Sequence, residues 1–436
     1  MQPGIWPDNH TDLREEKLMK KFAALLCALV MVLSMCACAT AESAETVKVT
    51  IWHTFTNDQQ AALEKFAADF NASQSEYEVI VESQAYSGFT DTVFNAVANG
   101  VGPSIIFNYA STASDYVKDG LVLDLTPYIF DDEIGMADVY NSLPEGIRAE
   151  TVGFEDGGMH ALPGVTTGPV LFYNKTMFDE LNLQVPTTWE ELAEVSKTIT
   201  EQKGCYGFAA DSLTDLMQSL MIQSGAGYID TEKDEVLFNT PEATAWLKWY
   251  GDNVQAGYFA SAPTGDYYSS DFNASLIGCY LGSCAGEPYI VPDGFEYDVA
   301  PMVRGINGTE WYPSWNRGPI VFKKDDATNK GAYLFVKYFL SPEVNLEWCK
   351  AMSALSPYGT TQALPGYAEF SANLAKGLVA VQANLDIAGS LPSVTGSNTV
   401  RNALKEAATK VSGGAMTAEE AMAECVATCN AALQAK

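Results

Sequence analysis

The chain has 436 residues, 47% of them apolar, which is enough to bury a large core across two or three domains and excludes a disordered chain. Its formal net charge of -30, from 55 acidic against 25 basic residues, with a pI near 4.3, repels nucleic-acid phosphate and excludes a nucleic-acid partner. The acidic residues are spread along the chain rather than gathered in a tail, the pattern of a solvated surface.

Residues 1–41 read as an address rather than a fold. Met19-Lys20-Lys21 gives a positive start, and 22–35 is an apolar run interrupted only by Ser34, the pattern of a secretory signal. The preceding 18 residues carry Asp8, Asp12, Glu15 and Glu16, which suit neither a signal nor a domain, so Met19 is the expected initiator. Ala39-Thr40-Ala41 offers an ordinary cleavage site, whereas Met35-Cys36-Ala37-Cys38 resembles a bacterial lipobox with Cys38 as the lipidated residue. In the second case residues 39–45 form a leash, and the only membrane attachment is the lipid; the competing reading of 22–35 is an uncleaved membrane anchor, for which its length is borderline. No second apolar run of membrane length follows.

From Val47 the pattern alternates strand and helix. Val47, Val49 and Ile51 predict a first strand, Asn57 with Gln60 predicts a capping box, and Leu63, Phe66 and Phe70 share one helix face. Further strands are expected at 78–82 and 105–107, with a helix at 91–98 between them. After Gly157-Gly158 the alternation resumes with a strand at 170–173, a helix at 189–200 opened by the Thr188/Glu191 capping box, and a short strand at 207–210. Pro241 behind Thr240 opens a helix, 276–281 and 319–322 read as strands, and helices are expected at 327–340, after Ser341-Pro342, at 402–411 and at 419–433. Strands separated by helices predict parallel pairing and an α/β fold. No low-complexity linker divides the chain, so two lobes joined by short crossings, with a hinge and a cleft at facing strand ends, are expected.

The sequence has no G-x-S-x-G, no H-E-x-x-H, no phosphate-binding G-x-x-x-x-G-K-[ST] and no G-x-G-x-x-G. A secreted glycosidase needs only two facing carboxylates and stays open; Asp131-Asp132-Glu133 is better read as a solvated loop. Of nine cysteines, six lie beyond the leader, at 205, 279, 284, 349, 425 and 429, as buried thiols or one or two bridges. With only His53 and His160 beside them, no metal site is expected, and no cofactor.

Aromatic residues beside amides and hydroxyls gather at strand ends and turns: Trp52-His53-Thr54-Phe55, Tyr86-Ser87-Gly88-Phe89, Asn108-Tyr109, and Trp311 through Arg317. Such pairs suit a small polyol, because a ring covers C–H faces while polar neighbours satisfy hydroxyls. For Trp52, Phe55, Trp189 and Trp246 the competing reading is core packing, and for His53 a satisfied hydrogen-bond partner. Residues 311–317 fit either a structural corner or a binding loop, with a composition unlike helix or strand.

The opening VTIWHTF, the stretch LPGVTTGPVLFYNKTMFDELNL followed by PTTWEEL, and the late AYLFVKYFLSPEVNLEWCKAMSALSPYGTT resemble the extracellular solute-binding proteins of bacterial ABC importers, family 1, the group that includes maltose-binding proteins. The resemblance covers nearly the whole exported chain. It implies a two-lobed type II α/β fold, with 46–158 plus 314–356 as lobe one and 159–313 plus 357–436 as lobe two. It also implies a monomer that binds a solute by cleft closure, catalyses nothing and delivers to permease subunits. Thr166-Thr167-Gly168 would lie at the cleft floor. The binding residues expected are Asn57, Tyr86, Tyr109, Thr166, Thr167, Asp211, Ser283, Trp315, Asn316, Arg317 and Tyr358. WHTF and the residues before YNK are nearest to binders of glycerol-3-phosphate and glycerophosphodiesters. Those binders carry a tryptophan where this chain has Asp211-Ser212-Leu213, and a late basic residue where 390–399 holds no Arg. A neutral sugar or oligosaccharide is therefore expected, with the phosphate compounds as the alternative.

Overall fold

Alternating apolar residues become strands where one face is covered, and the continuous apolar runs at 105–107 and 170–173 become strands covered on both. The computed structural model describes residues 46–85, 88–261, 267–305 and 309–435; Cys38 and the rest of the leader lie outside them. The strands are β1 (Val47–His53), β2 (Tyr77–Ser83), β3 (Ile105–Asn108), β4 (Val165–Thr167), β5 (Pro169–Asn174), β6 (Tyr206–Ala210), β7 (Ile229–Asp230), β8 (Glu235–Val236), β9 (Ile277–Ser283), β10 (Tyr297–Pro301), β11 (Tyr312–Pro313), β12 (Trp315–Val321) and β13 (Ala388–Gly389). One sheet has the order β2-β1-β3-β12-β4 and a second the order β10-β5-β9-β6; β11 pairs with β13, and β7 with β8.

In the first sheet the side chains divide between two apolar layers. Ile105, Phe107 and Val321 face a core with Leu63, Phe66, Phe339 and Trp348, while Ile106, Ile320 and Phe322 face another with Val93, Val97 and Tyr116. This is the period of two expected of strands sandwiched by helices. The second sheet is buried against Trp189, Leu192, Ile199 and Phe259, in one continuous core with the C-terminal helices Ser397–Ser412 and Ala418–Leu433, which pack on the helix Pro241–Gln255.

Pairing is mixed, not parallel throughout. β1 runs parallel to β2 and β3, but β12 is antiparallel to both β3 and β4. In the second sheet β5 is antiparallel to β9 and β10, and only β6 and β9 run parallel. The parallel rule holds for strands joined by a local helical crossover. It fails for β12, which enters the first sheet from the other lobe.

Local signals fared unevenly. Thr188 and Glu191 form the predicted capping box, and Gly204 closes that helix in the left-handed conformation, φ 73°. The Asn57–Gln60 box does not form: Thr56 is the N-cap, Asn57 itself takes φ 52°, and Gln60 Nε2 donates to Glu64 instead. The segment before Pro319 is strand rather than irregular, since β12 begins at Trp315. Asp131 is the exposed turn residue expected, accepting from the Glu133 and Ile134 backbone N–H groups. The six body cysteines are free thiols. No helix among the described residues is long and apolar enough to cross a membrane.

The sheets meet at short connections. β4 belongs to the first sheet and β5 to the second, so the chain passes over at Gly168, ten residues beyond the expected boundary. A Cβ on Gly168 would stand 2.2 Å from Tyr312 Oη, so the crossing requires glycine. A second passage lies at Ser314, between β11 and β12. Leu355 bridges to Thr166 beside them, its carbonyl accepting from Thr166 N at 2.8 Å. Tyr358 then packs in the first core, so the first lobe also extends past residue 356.

Candidate functional site

Between the two sheets lies a cavity of about 830 Å³ whose floor is this set of crossings. Its size is in the upper part of the range of small-molecule pockets. β12 and β4 bring Thr167, Trp315, Asn316 and Arg317 into it; β3 delivers Tyr109 at its end, β6 delivers Asp211 and β9 delivers Ser283. Of the expected residues, these seven line the cavity.

The others do not. Asn57 is exposed at the start of its helix and off the cavity, while Gln59, two residues on, lines it. Thr166 is fully buried, held by backbone pairing to Leu355, and its hydroxyl finds no partner among the described residues. Tyr358 is buried too, donating its hydroxyl to Pro163 O at 2.7 Å; it is a hinge staple rather than a contact surface. Tyr86 lies outside the described residues.

Residues 311–317 serve as corner and wall together. Trp311 and Trp315 line the cavity, whereas Tyr312 is buried and donates to Pro169 O at 2.9 Å. Phe55 and Trp189 are core, as expected; Trp189 Nε1 donates to Gln223 at 2.6 Å. His53 Nδ1 accepts from Phe55 N, but its Nε2 has no partner among the described residues, so it is only half satisfied; desolvation holds its pKa below the ordinary value.

The remaining wall was not foreseen. Tyr267 and Tyr289 present exposed rings, 63% and 70%, and Glu150, Asp215, Gln218, Tyr228 and Arg401 supply polar groups. Arg401 stands on Ser397–Ser412, two residues past the stretch 390–399 that holds no Arg. Its Nη2 donates to Asp215 Oδ1 at 3.1 Å. Arg317 donates to Phe107 O at 3.3 Å and Thr54 Oγ1 at 3.2 Å, with its guanidinium 4.4 Å above the Phe55 ring. Glu150 accepts from Asn316 Nδ2 at 2.7 Å, and loss of solvent pushes its carboxyl up to about 7. Burial likewise raises Asp211 to about 6, against the N–H of Tyr268 donating to it at 2.8 Å. Among the described residues no cluster of His, Cys, Asp and Glu is arranged to hold a metal ion.

Residues 65–374 match the family of bacterial extracellular solute-binding proteins. The chain belongs to that family. It is similar to the sn-glycerol-3-phosphate-binding periplasmic protein UgpB of Yersinia pestis, 22% identical over 337 residues, covering 71% of this chain and 74% of that one. The UgpB of Agrobacterium fabrum is 24% identical over 331 residues, covering 69% and 72%. Among solved structures, the cyclic α-maltosyl-1,6-maltose binding protein of Arthrobacter globiformis superposes with a TM-score of 0.78 at 23% identity, covering 90% of this chain and all of that one. The GacH receptor of Streptomyces glaucescens gives 0.73 at 18%, covering 89% and 99%. These likenesses establish the two-lobed α/β fold of solute-binding proteins; family members are binders rather than enzymes, and they act outside the cytoplasm.

Proposed function

We propose that the protein captures a carbohydrate-like solute in the interlobe cavity and delivers it to the membrane subunits of an ABC importer. The observation that carries this reading is the pairing, around one cavity, of the exposed rings of Tyr109, Tyr267 and Tyr289 with Thr167, Ser283, Gln218 and Asn316. Rings cover the C–H faces of a sugar, and the polar groups meet its hydroxyls. Magnitude favours a clamp: micromolar capture needs about -8 kcal/mol, whereas net hydrogen bonds of about 1 kcal/mol each hardly cover association losses unless two walls bury the solute. A solute touching both lobes favours the closed form through its differential affinity, and the permease would recognise that form. Anchoring through Cys38 and action as a monomer complete the proposal.

The named solute of the UgpB relatives favours a phosphate compound instead. Against it, both cavity guanidiniums are already engaged, and three carboxylates share the walls. A thermal-shift screen of neutral sugars, polyols and glycerophosphate compounds separates the readings, since ligand at 100 times its dissociation constant adds about 2.7 kcal/mol to stability. Stabilisation by a sugar is expected, together with tenfold or greater weakening by Trp315→Ala, roughly the loss of one stacked ring with its buried area. Stabilisation by sn-glycerol 3-phosphate and by no sugar would overturn the carbohydrate reading.

A further inference from the structure

We propose that the solute is a basic carbohydrate, one whose protonated amino group seats against Glu150 and Asn316, with Asp211 as a second carboxylate on the other lobe's wall. This rests on the carbohydrate reading above and narrows it.

The charged side chains lining the cavity are Glu150, Asp211, Asp215, Arg317 and Arg401. Arg401 is paired with Asp215, and Arg317 is bound to Phe107 O and Thr54 and covers the Phe55 ring. Glu150 and Asp211 have no cationic partner among the described residues. The cavity therefore offers two desolvated, unneutralised carboxylates and no uncommitted cation.

Hydrogen-bond bookkeeping points the same way. Asn316 is 4% exposed, and its Nδ2 is spent on Glu150 and on Ser314 Oγ at 3.1 Å. Its Oδ1 has no partner among the described residues. The corner formed by Asn316 and Glu150 thus presents acceptors, and beside it only the Ser314 hydroxyl, which accepts from Asn316 Nδ2, keeps an O–H to donate. An ammonium group is donor-only, three N–H bonds with no lone pair to place, and it supplies the missing charge. A hydroxyl supplies one donor and no charge, so it leaves the Glu150 carboxylate without a counter-ion. The raised carboxyls of Glu150 and Asp211 record the same deficit, since each is disfavoured as an anion by burial without a compensating charge. Two further features favour a cation: the tyrosine faces, which attract one through the ring quadrupole, and a formal charge of -30, which concentrates cations near the protein.

Calorimetry on the full chain tests this with a matched pair built on the sugar that the thermal-shift screen selects, one member carrying a hydroxyl and the other an amino group at the same carbon. Glucose with glucosamine and the corresponding β-1,4-linked trimers are the starting pairs, and the N-acetylated trimer is an uncharged control. The amino member is expected to bind about tenfold or more tightly at pH 7, the scale of one charge-assisted bond. Glu150→Gln and Asp211→Asn should each shrink that ratio. Asp215, Arg317 and Arg401 are the other charged groups on the walls, and the buried hydroxyls of Tyr228 and Tyr280 are pushed up and stay neutral. Affinity for the amino member should therefore rise from pH 5 to pH 7 as Asp211 and Glu150 ionise, while that of the neutral member should not. Equal or tighter binding of the neutral member, or a ratio unchanged in both variants, would overturn the inference and leave the carbohydrate reading standing. A screen in which no sugar binds removes both.

Discussion

At the hinge, Tyr312 and Tyr358 are buried and each donates its hydroxyl to a backbone carbonyl; on the cavity walls, Tyr109 and Tyr289 stand 41% and 70% exposed. The same residue type serves two purposes. A buried Tyr whose hydroxyl reaches a carbonyl fixes the path of two crossing segments, because the alternative is an unpaired polar group costing about 1–3 kcal/mol. An exposed ring contributes little to folding and offers an apolar face that only a guest would cover. Substitutions at the crossings should therefore be read out as stability, and those on the walls as affinity.

Glycine gives the largest expected contrast. Gly318 lies in β12, and a Cβ there would fall 1.9 Å from Leu162 O and 2.4 Å from Gly164 N, both backbone atoms. Gly286 lines the cavity, and a Cβ there would meet nothing within 4 Å. Gly318→Ala is expected to cost about 3 kcal/mol or more, the upper range of overpacking, and Gly286→Ala about 0.5 kcal/mol or less. Urea midpoints for the two proteins measure this directly. Similar midpoints would mean that β4 and β12 separate easily, and the hinge would lose its claim to rigidity.

The hinge was also the harder region to read in sequence. Strands β1 and β2 announce themselves through alternation, β3 through an apolar run after Gly102-Pro103, and the helix Trp189–Lys203 through the Thr188/Glu191 box. Thr166 and Tyr358 carry the same polar groups as true wall residues, and nothing local distinguishes a hydroxyl aimed at solvent from one buried in a crossing. β4 is three residues long and pairs with a strand nearly 150 positions away, so neither period nor propensity marks it. On the walls, Tyr109 and Trp315 were legible as aromatic residues at strand ends and turns, whereas Asp211 and Ser283 were expected only through the family resemblance. Glu150 and Arg401 sit on helix faces among other charged residues, and only the folding together of distant segments brings them to the cavity.

Glu150 extends the contrast to pH. Its carboxyl titrates at about 7 in the folded chain against an ordinary 4.5, so the folded state holds the proton more tightly than the unfolded state. The resulting stabilisation is complete below about 4.5 and is lost as pH rises through about 7, a swing of about 3 kcal/mol at most. Glu150→Gln removes the titration while keeping an acceptor for Asn316. The variant should therefore be more stable than the parent at pH 8 and no more stable at pH 4. Chemical denaturation at both values checks the sign. A parent whose stability rises from pH 5 to 8 relative to the variant would mean that a cation neutralises this carboxylate in the ligand-free protein.

The smallest effects form the sharpest test, because they should dissociate. Tyr358→Phe removes one hydroxyl from a closed core and leaves Pro163 O without its donor, so stability should fall by about 1–2 kcal/mol. Solute affinity should stay within about twofold, since the ring still fills its place. Tyr289→Ala should do the reverse. Its ring touches mostly solvent, so stability should change by less than about 0.5 kcal/mol. Loss of one stacking face should weaken binding about fivefold to tenfold. Calorimetric affinity and urea midpoint measured on both variants give four numbers, and the division of labour requires them to fall on opposite diagonals. If Tyr358→Phe instead weakens binding while leaving the midpoint unchanged, the Pro163 contact governs how the lobes close rather than how they are held, and Tyr358 returns to the solute's side of the account.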